Sequence, residues 1–123
     1  MPSSALTEEI IGCAIRVHSE LGPGLLEATY STCMSHELAL AGIGFEREKI
    51  LPVAYRGILL DCGYRIDLLV ASEIVVELKA VDVLLPVHDA QVLTYSKMSG
   101  CRLGLLINFN VRLLKDGIRR FAL

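Results

Sequence analysis

The sequence predicts an α/β fold in which a mixed β-sheet is flanked by helices, in the order ααββββαβ(β). Three observations support this prediction. Apolar residues recur at helical spacing in the first third of the chain, short segments rich in β-branched residues follow Phe45, and a strand, helix, strand unit lies near the end. A length of 123 residues suits one domain over residues 1–123.

Two helices are predicted before the first strand. Thr7 or Ser4 can cap the first helix, and the helix should end at Gly22 and Pro23. The second helix begins near Gly24 and runs to the glycine at position 42. We therefore expect a helical hairpin at the start of the chain.

Strand-like segments then occupy the middle of the sequence, and they are KILPVAY, ILLDC, YRIDLLV and EIVVELKAV. Pro52, in the first of them, would suit an edge strand because proline lacks the N–H donor. A third helix is predicted from Pro86 to Gly100, and the apolar segment LGLLINF follows as a strand that is buried on both faces and parallel to its predecessor. A turn at KDG allows one last edge strand.

The charges of the chain are unevenly distributed, although the net charge of −2 argues against a surface that is basic throughout. Residues 1–48 carry seven glutamates against two arginines, whereas residues 97–123 carry six cations against one aspartate. This pattern indicates either a local basic face or an ordinary solvated surface. The six cations are Lys97, Arg102, Arg112, Lys115, Arg119 and Arg120.

The location and assembly of the protein also follow from composition. No apolar segment is long enough for a membrane span, and the opening MPSSALTEEI carries no export signal, so we expect a cytoplasmic protein without a membrane partner. Four scattered cysteines fit reduced thiols. A hydrophobic share of 53% leads us to expect a homo-oligomer.

Three charged residues interrupt the apolar strands. Glu77 and Lys79 lie two apart in VVELKAV and therefore share a face, and a hairpin centred on Ser72 would place Asp67 opposite Glu77. Two carboxylates this close repel unless a cation or a proton lies between them, and hard oxygen ligands suit Mg²⁺ or Mn²⁺. The alternative is a partly buried ion network with a structural role only.

Two helical segments add polar residues to this cluster. His88, Gln91 and Tyr95 form one stripe on the helix that follows the charged strand, although a lone histidine on a helix is as often a packed or surface residue. Glu27 lies in the first turn of the second helix, where an acid is often only a partner of the helix dipole.

The segment GPGLLEATY matches a GxxExxY signature, and the chain resembles the GxxExxY family of the PD-(D/E)XK nuclease superfamily over nearly its full length. The further matching stretches are YRIDLLV, IVVELKAV, PVHDAQVLTYSK, RLGLLINFNV and LKDGIRR. The resemblance implies a restriction-endonuclease-like fold and a Mg²⁺-dependent or Mn²⁺-dependent site.

The resemblance also implies a role for each matching residue. Asp67 would be the first acid, Glu77 and Lys79 the catalytic pair, and Glu27 the acid that completes the metal shell, with a backbone carbonyl near Leu78 as a further ligand. The superfamily's usual proline before the first acid is Ile66 here. Gln91 and Tyr95 resemble the QxxxY element of the RecB-like branch, and the expected substrate-binding residues are Gln91, Tyr95, His88 and Tyr30.

The sequence therefore favours a metal-dependent nuclease that hydrolyses phosphodiester bonds, acting on DNA more than on RNA. The alternative is a catalytically silent module with the same fold, used for binding or assembly. A serine or cysteine hydrolase is disfavoured, because no GxSxG motif occurs and nothing places a cysteine beside a histidine.

Overall fold

The computed structural model describes residues 2–123, with side chains from residue 5 onward. Its elements, in chain order, are α1 (Pro2–Leu21), α2 (Glu27–Leu40), β1 (Phe45–Ile50), β2 (Val53–Tyr55), β3 (Ile58–Leu60), β4 (Arg65–Val70), β5 (Ile74–Lys79), α3 (Pro86–Ser99), β6 (Leu103–Asn108), a 3₁₀ turn (Leu114–Gly117) and β7 (Ile118–Ala122). The predicted α/β class is confirmed.

The start of α1 differs from the prediction. The helix is already formed at Pro2, so Thr7 lies within it and is not a cap. The side chain of Ser4, the other predicted cap, lies outside the described residues. Among the helices within residues 2–123, none combines the length and the apolar character that crossing a bilayer requires.

The main sheet has five strands in the order β1-β4-β5-β6-β7. β5 and β6 are parallel and are connected through α3, as predicted, whereas the other neighbouring pairs are antiparallel. The predicted last strand is present as β7 and lies at one edge. The strand that carries Glu77 and Lys79 is therefore the central strand of the sheet.

The segment KILPVAY does not form the single strand that was predicted. β1 ends at Ile50, and the chain after Pro52 forms β2, which pairs only with β3 in a separate hairpin. Proline has no N–H with which to continue a ladder, and Leu51 N instead donates to Tyr64 O at 3.0 Å. Pro52 therefore separates two strands.

The two faces of the sheet have separate cores. One core lies under α1 and α2 and includes Leu68, Val76 and Leu78, and the other includes Val75 and lies under Tyr95 of α3. The alternation of side chains along a strand predicts that Ile66 and Leu68 share a face, but Ile66 packs in the α3 core. The change of side coincides with the end of the pairing between β4 and β5 at Leu68.

Candidate active site

The hairpin between β4 and β5 sets the register of the candidate site. Ala71 and Ser72 turn the chain in left-handed backbone conformations, with φ of 52° and 56°. Leu68 then pairs with Val76 and Val70 with Ile74, which is the register predicted for a turn centred on Ser72. The next residues outward are Asp67 and Glu77, so the two acids lie opposite each other.

The two carboxylates take the place of the next hydrogen bonds between the strands. The backbone N of Asp67 donates to Glu77 Oε2 at 2.8 Å, and the backbone N of Leu78 donates to Asp67 Oδ2 at 2.8 Å. Each side chain is therefore held by the other strand. This reciprocal arrangement fixes both carboxylates at the point where β4 and β5 diverge.

Burial makes both carboxylates unusually hard to ionise. Glu77 is only 1% exposed and Asp67 is half-buried. Burial, and then the charge of Asp67, raise the pKa of Glu77 from 4.5 to about 8. Burial is also the main cause that raises the pKa of Asp67 from 3.8 to about 6, against the lowering effect of the hydrogen bond from Leu78. Near neutral pH the pair therefore binds protons more readily than two exposed carboxylates would.

Lys79 lies at the half-buried end of β5 and acts on both acids through its charge, which lowers the pKa of Asp67 and of Glu77. Within the described part of the chain, its amine forms no ion pair with either carboxylate. Phe109 N donates to Lys79 O at 2.9 Å, which anchors the backbone of the residue to the end of β6. The amine therefore lies near the two acids without forming an ion pair with either of them.

Glu27 is the first residue of α2 and is exposed. Its charge raises the pKa of both Asp67 and Glu77, so it lies within electrostatic reach of the pair. Gly24, in the loop that precedes Glu27, donates its backbone N–H to Asn110 Oδ1 at 3.1 Å. This bond ties the loop to the segment that follows β6. Across residues 2–123, however, no three His, Cys, Asp or Glu side chains are arranged to hold a metal ion. The structure thus brings two of the three predicted acids together.

Tyr30, which was predicted to bind substrate, lies in the core of the protein. It is fully buried and stacks on Phe109 with a centroid distance of 4.6 Å. Its hydroxyl donates to Gly22 O at 2.6 Å and accepts from Leu25 N at 3.2 Å. A hydroxyl that is enclosed in this way does not reach substrate, so the tyrosine of the GxxExxY signature supports the loop that leads to Glu27.

The polar stripe of α3 lies along a cleft of about 550 Å³. Gln91 Nε2 donates to Tyr95 Oη at 3.1 Å, and His88 Nδ1 accepts from Leu85 N at 2.9 Å. The predicted grouping of these three side chains on one helical face is therefore observed, with all of them at the cleft.

Two residues of the site were missed by sequence reasoning. Arg47 pairs with Leu68 and Lys49 with Ile66, so Glu48 lies opposite Asp67, and its charge raises the pKa of that acid. Glu48 was overlooked because the predicted strand began one residue later.

Asn108 is the second missed residue, and it is buried at the end of β6. Its side chain accepts from Val81 N at 3.0 Å and donates to Val81 O at 2.9 Å. The two bonds fix the segment that follows Lys79. A polar residue at the end of the apolar segment LGLLINF was the signal that could have identified it.

The donor chemistry of this site fits a divalent cation. Two buried carboxylates that repel each other offer only oxygen ligands, which hard ions such as Mg²⁺ and Mn²⁺ prefer. A cation between them would offset both the repulsion and the cost of burial. Leu78, whose backbone carbonyl was predicted as a ligand, lies directly beside the pair through its bond to Asp67.

Comparison with known proteins gives one match to a family. The model of the PD-(D/E)XK nuclease superfamily matches residues 4–121. No curated protein and no solved structure matches the chain. The matched range extends from α1 to β7 and contains both carboxylates and Lys79.

Proposed function

We propose, from the premise that this chain belongs to the PD-(D/E)XK nuclease superfamily, that it is a metal-dependent nuclease that hydrolyses phosphodiester bonds of nucleic acid. The observation that carries the proposal is the pair of buried carboxylates of Asp67 and Glu77, each held by a backbone N–H of the opposite strand, with Lys79 at their side. Residues 1–123 would act as one nuclease domain.

Asp67 and Glu77 would hold one or two Mg²⁺ or Mn²⁺ ions, with Glu27 reaching them directly or through water and the carbonyl of Leu78 as a further ligand. A bound divalent ion supplies Lewis acidity towards the phosphate and lowers the pKa of water. The main rearrangement required is an approach of Glu27, which is exposed at the start of α2.

The remaining polar groups would act on water and substrate. The amine of Lys79 would position the attacking water or stabilise the negative charge that develops on the phosphate. Gln91, Tyr95 and His88 would bind substrate from α3. Their side chains are neutral hydrogen-bonding groups, apart from protonation of the histidine, so they suit orientation more than charge neutralisation.

We also propose a path for the phosphate backbone. Arg119 and Arg120 are paired with Asp89 and Glu8 at 2.7 Å, which reduces their availability. Arg112 and Lys115 instead line a groove of about 470 Å³ that includes Pro23, beside the loop that leads to Glu27. Phosphate contacts supply most of the affinity of a sequence-tolerant nuclease, and Arg112 and Lys115 would make such contacts from this groove. We propose DNA as the preferred nucleic acid.

We also propose a narrower family and a cellular compartment for this protein. The GxxExxY signature and the Gln91 and Tyr95 spacing support placement in the GxxExxY family and near the RecB-like branch. A cytoplasmic protein with reduced thiols is consistent with four free cysteines.

A nuclease assay tests the proposed function. Purified protein is incubated with plasmid, linear duplex, single-stranded DNA and RNA, in Mg²⁺, in Mn²⁺ and in EDTA. Cleavage in the presence of metal is expected, and Glu77→Gln or Lys79→Ala should reduce its rate by at least about 100-fold. Glu73→Gln changes an exposed acid at the opposite end of the same hairpin and should retain the rate. Cleavage that is equal in all variants would mean a contaminating nuclease.

The second candidate function is a catalytically silent module of the same fold. It is favoured by two facts: both carboxylates already accept backbone hydrogen bonds, and among residues 2–123 no third acid is arranged with them to hold a metal ion. No cleavage of any substrate, together with no binding of Mn²⁺, would select this alternative.

A further inference from the structure

The cleft beside α3 has an unusual combination of walls. Val87 and Met98 are apolar and exposed, and Tyr64 presents an aromatic ring that is 47% exposed. Tyr95 meets Tyr64 edge to face, with a centroid distance of 6.1 Å and an interplanar angle of 67°. The Tyr64 ring is therefore supported at one side and accessible at the cleft.

The hydrogen-bonding groups of the cleft are neutral. His88 Nδ1 accepts from Leu85 N, which leaves the ring proton on Nε2 as a donor. Gln91 uses its amide N–H on Tyr95, and its Oε1 has no protein partner among the residues that the structure describes. Of the described residues that line the cleft, none is a lysine, an arginine or an acid. A fixed charge on the ligand would therefore have no counterpart here.

The cleft also lies beside the carboxylates. Val75 of β5 pairs with Gly104, where a Cβ would lie 2.6 Å from Val92 Cγ1 and 2.9 Å from Ser96 Oγ. Glu77 lies two residues further along β5, about 7 Å. Because α3 runs opposite to β5 and rises 1.5 Å per residue, the same distance leads back about four to five residues from the midpoint of Val92 and Ser96, to the turn between His88 and Gln91.

Tyr64 lies close to the first acid along the chain. It precedes Asp67 by three residues, a distance of roughly 10 Å along an extended chain. A strand of nucleic acid held at the carboxylates could therefore place a neighbouring base between Tyr64 and α3. A volume of about 550 Å³ accommodates a small planar group and is too small for a paired duplex.

We propose that this cleft binds an unpaired nucleobase, which stacks on Tyr64 and is hydrogen-bonded by Gln91 and His88, so that the preferred substrate is single-stranded or unpaired DNA. The inference rests on the proposed nuclease function and specifies its substrate. Neutral donors and acceptors around an aromatic platform match the edges and face of a base, and sequence-tolerant single-strand binding relies on such stacking.

Binding to DNA tests the inference. A single strand that contains 2-aminopurine and its blunt duplex are titrated with Lys79→Ala protein in Mg²⁺, which slows cleavage and leaves both carboxylates in place. Anisotropy of a dye-labelled strand reports affinity, and quenching of 2-aminopurine reports stacking. The single strand should bind at least about tenfold more tightly than the duplex, and adding Tyr64→Ala should weaken single-strand binding by about 5- to 150-fold.

Two further variants separate stacking from general damage. Tyr64→Phe keeps the ring and should retain both the affinity and the quenching, whereas Tyr55→Ala removes a tyrosine that is 60% exposed outside the cleft and should have no effect. Equal affinity for single strand and duplex, or equal effects of Tyr64→Ala and Tyr55→Ala, would overturn the inference.

Cleavage assays distinguish this inference from the proposed function. If the wild-type protein cleaves single strand and duplex at equal rates and Tyr64→Ala does the same, the cleft inference fails and the nuclease function stands. If no DNA is cleaved but single-strand binding depends on Tyr64, the nuclease function fails and the cleft is a binding site for an unpaired base.

Discussion

At the scale of the residue, the buried carboxylate of Glu77 should make the protein less stable as the pH rises. Its pKa is raised from 4.5 to about 8 and that of Asp67 from 3.8 to about 6, so the folded protein binds more protons than the unfolded chain between about pH 4 and 8. Stability is then greatest below this window and falls through it. We expect a decrease on the order of a few kcal/mol, measured by urea unfolding in EDTA.

The variant Glu77→Gln isolates the cause of this pH dependence. It retains an acceptor for Asp67 N but carries no proton to lose, so its unfolding free energy should vary less between pH 6 and 8 and exceed that of the wild type at the alkaline end. A wild-type stability that is constant across the window would contradict the assigned burial of the pair.

Tyr30→Phe tests the structural role of the signature tyrosine. The variant removes the hydroxyl that donates to Gly22 O and accepts from Leu25 N, within the loop before Glu27. We expect a loss of about 1–3 kcal/mol in unfolding free energy. Nuclease activity should fall by as much as about 100-fold through displacement of Glu27. Tyr55→Phe, on an exposed tyrosine, is the control and should change neither quantity, and an equal effect of both variants would contradict this role.

The residues of the site differ in how far the sequence alone could identify them. Asp67 and Glu77 could be paired from the sequence because both interrupt apolar strands and lie equally far from Ser72. In a hairpin centred on Ser72, residues at equal distances from the turn lie opposite each other. The burial of Tyr30 agrees with its place on the apolar stripe of the second helix, which continues through Met34 and Leu38, but the stacking of its ring could not be foreseen. Its packing partner, Phe109, lies far away in the sequence.

At the scale of the element, the position of α3 on the sheet depends on Gly104. A Cβ at this residue would lie too close to Val92 and Ser96, so Gly104→Ala should push α3 away from β6. We expect a loss of about 1–3 kcal/mol in unfolding free energy. Cleavage should also weaken because Gln91 moves with the helix. Thermal or urea unfolding and the nuclease assay measure the two effects.

Gly44→Ala is the matched control, since a Cβ there would meet nothing within 4 Å. It should leave both stability and cleavage close to the wild-type values. If Gly104→Ala proved as harmless as this control, α3 would not be held by close packing against β6.

Helices and strands could be predicted where the apolar pattern of the sequence was long. The prediction failed where the choice of pairing partner determined the strand boundaries. The unit β5, α3 and β6 follows from an apolar strand, a proline start and a second apolar strand. The division of KILPVAY depends on which strands compete for its backbone, since β1 pairs with β4 and β2 with β3. Sequence periodicity contains no information about that competition.

At the scale of the whole molecule, the separate hairpin of β2 and β3 leaves apolar side chains uncovered. Ile58 and Leu59 are 61% and 70% exposed. We propose that Ile58 and Leu59 form the contact of a homo-oligomer, because exposed apolar patches mark association sites. Leu59→Lys should shift the protein towards the monomer in sedimentation velocity. An unchanged sedimentation distribution, whether monomeric or oligomeric, would contradict a contact through this hairpin.

The fold class and the sheet face of the site could be derived from the sequence, but the electrostatics of the site could not. Burial of Glu77 depends on the packing of α3 and both neighbouring strands around it, and Glu48 and Glu27 approach from two further elements. These long-range contacts turn two acids on a strand pair into a site that favours a cation.

Calorimetric titration of Mn²⁺ into the purified protein tests the central claim most directly. The account predicts saturable binding to the wild type and to the Glu73→Gln control, and its loss in both Asp67→Asn and Glu77→Gln, with all four proteins folded. Binding that survives in Asp67→Asn and Glu77→Gln, or no binding in the wild type, would contradict the claim that the carboxylate pair between β4 and β5 is a metal centre.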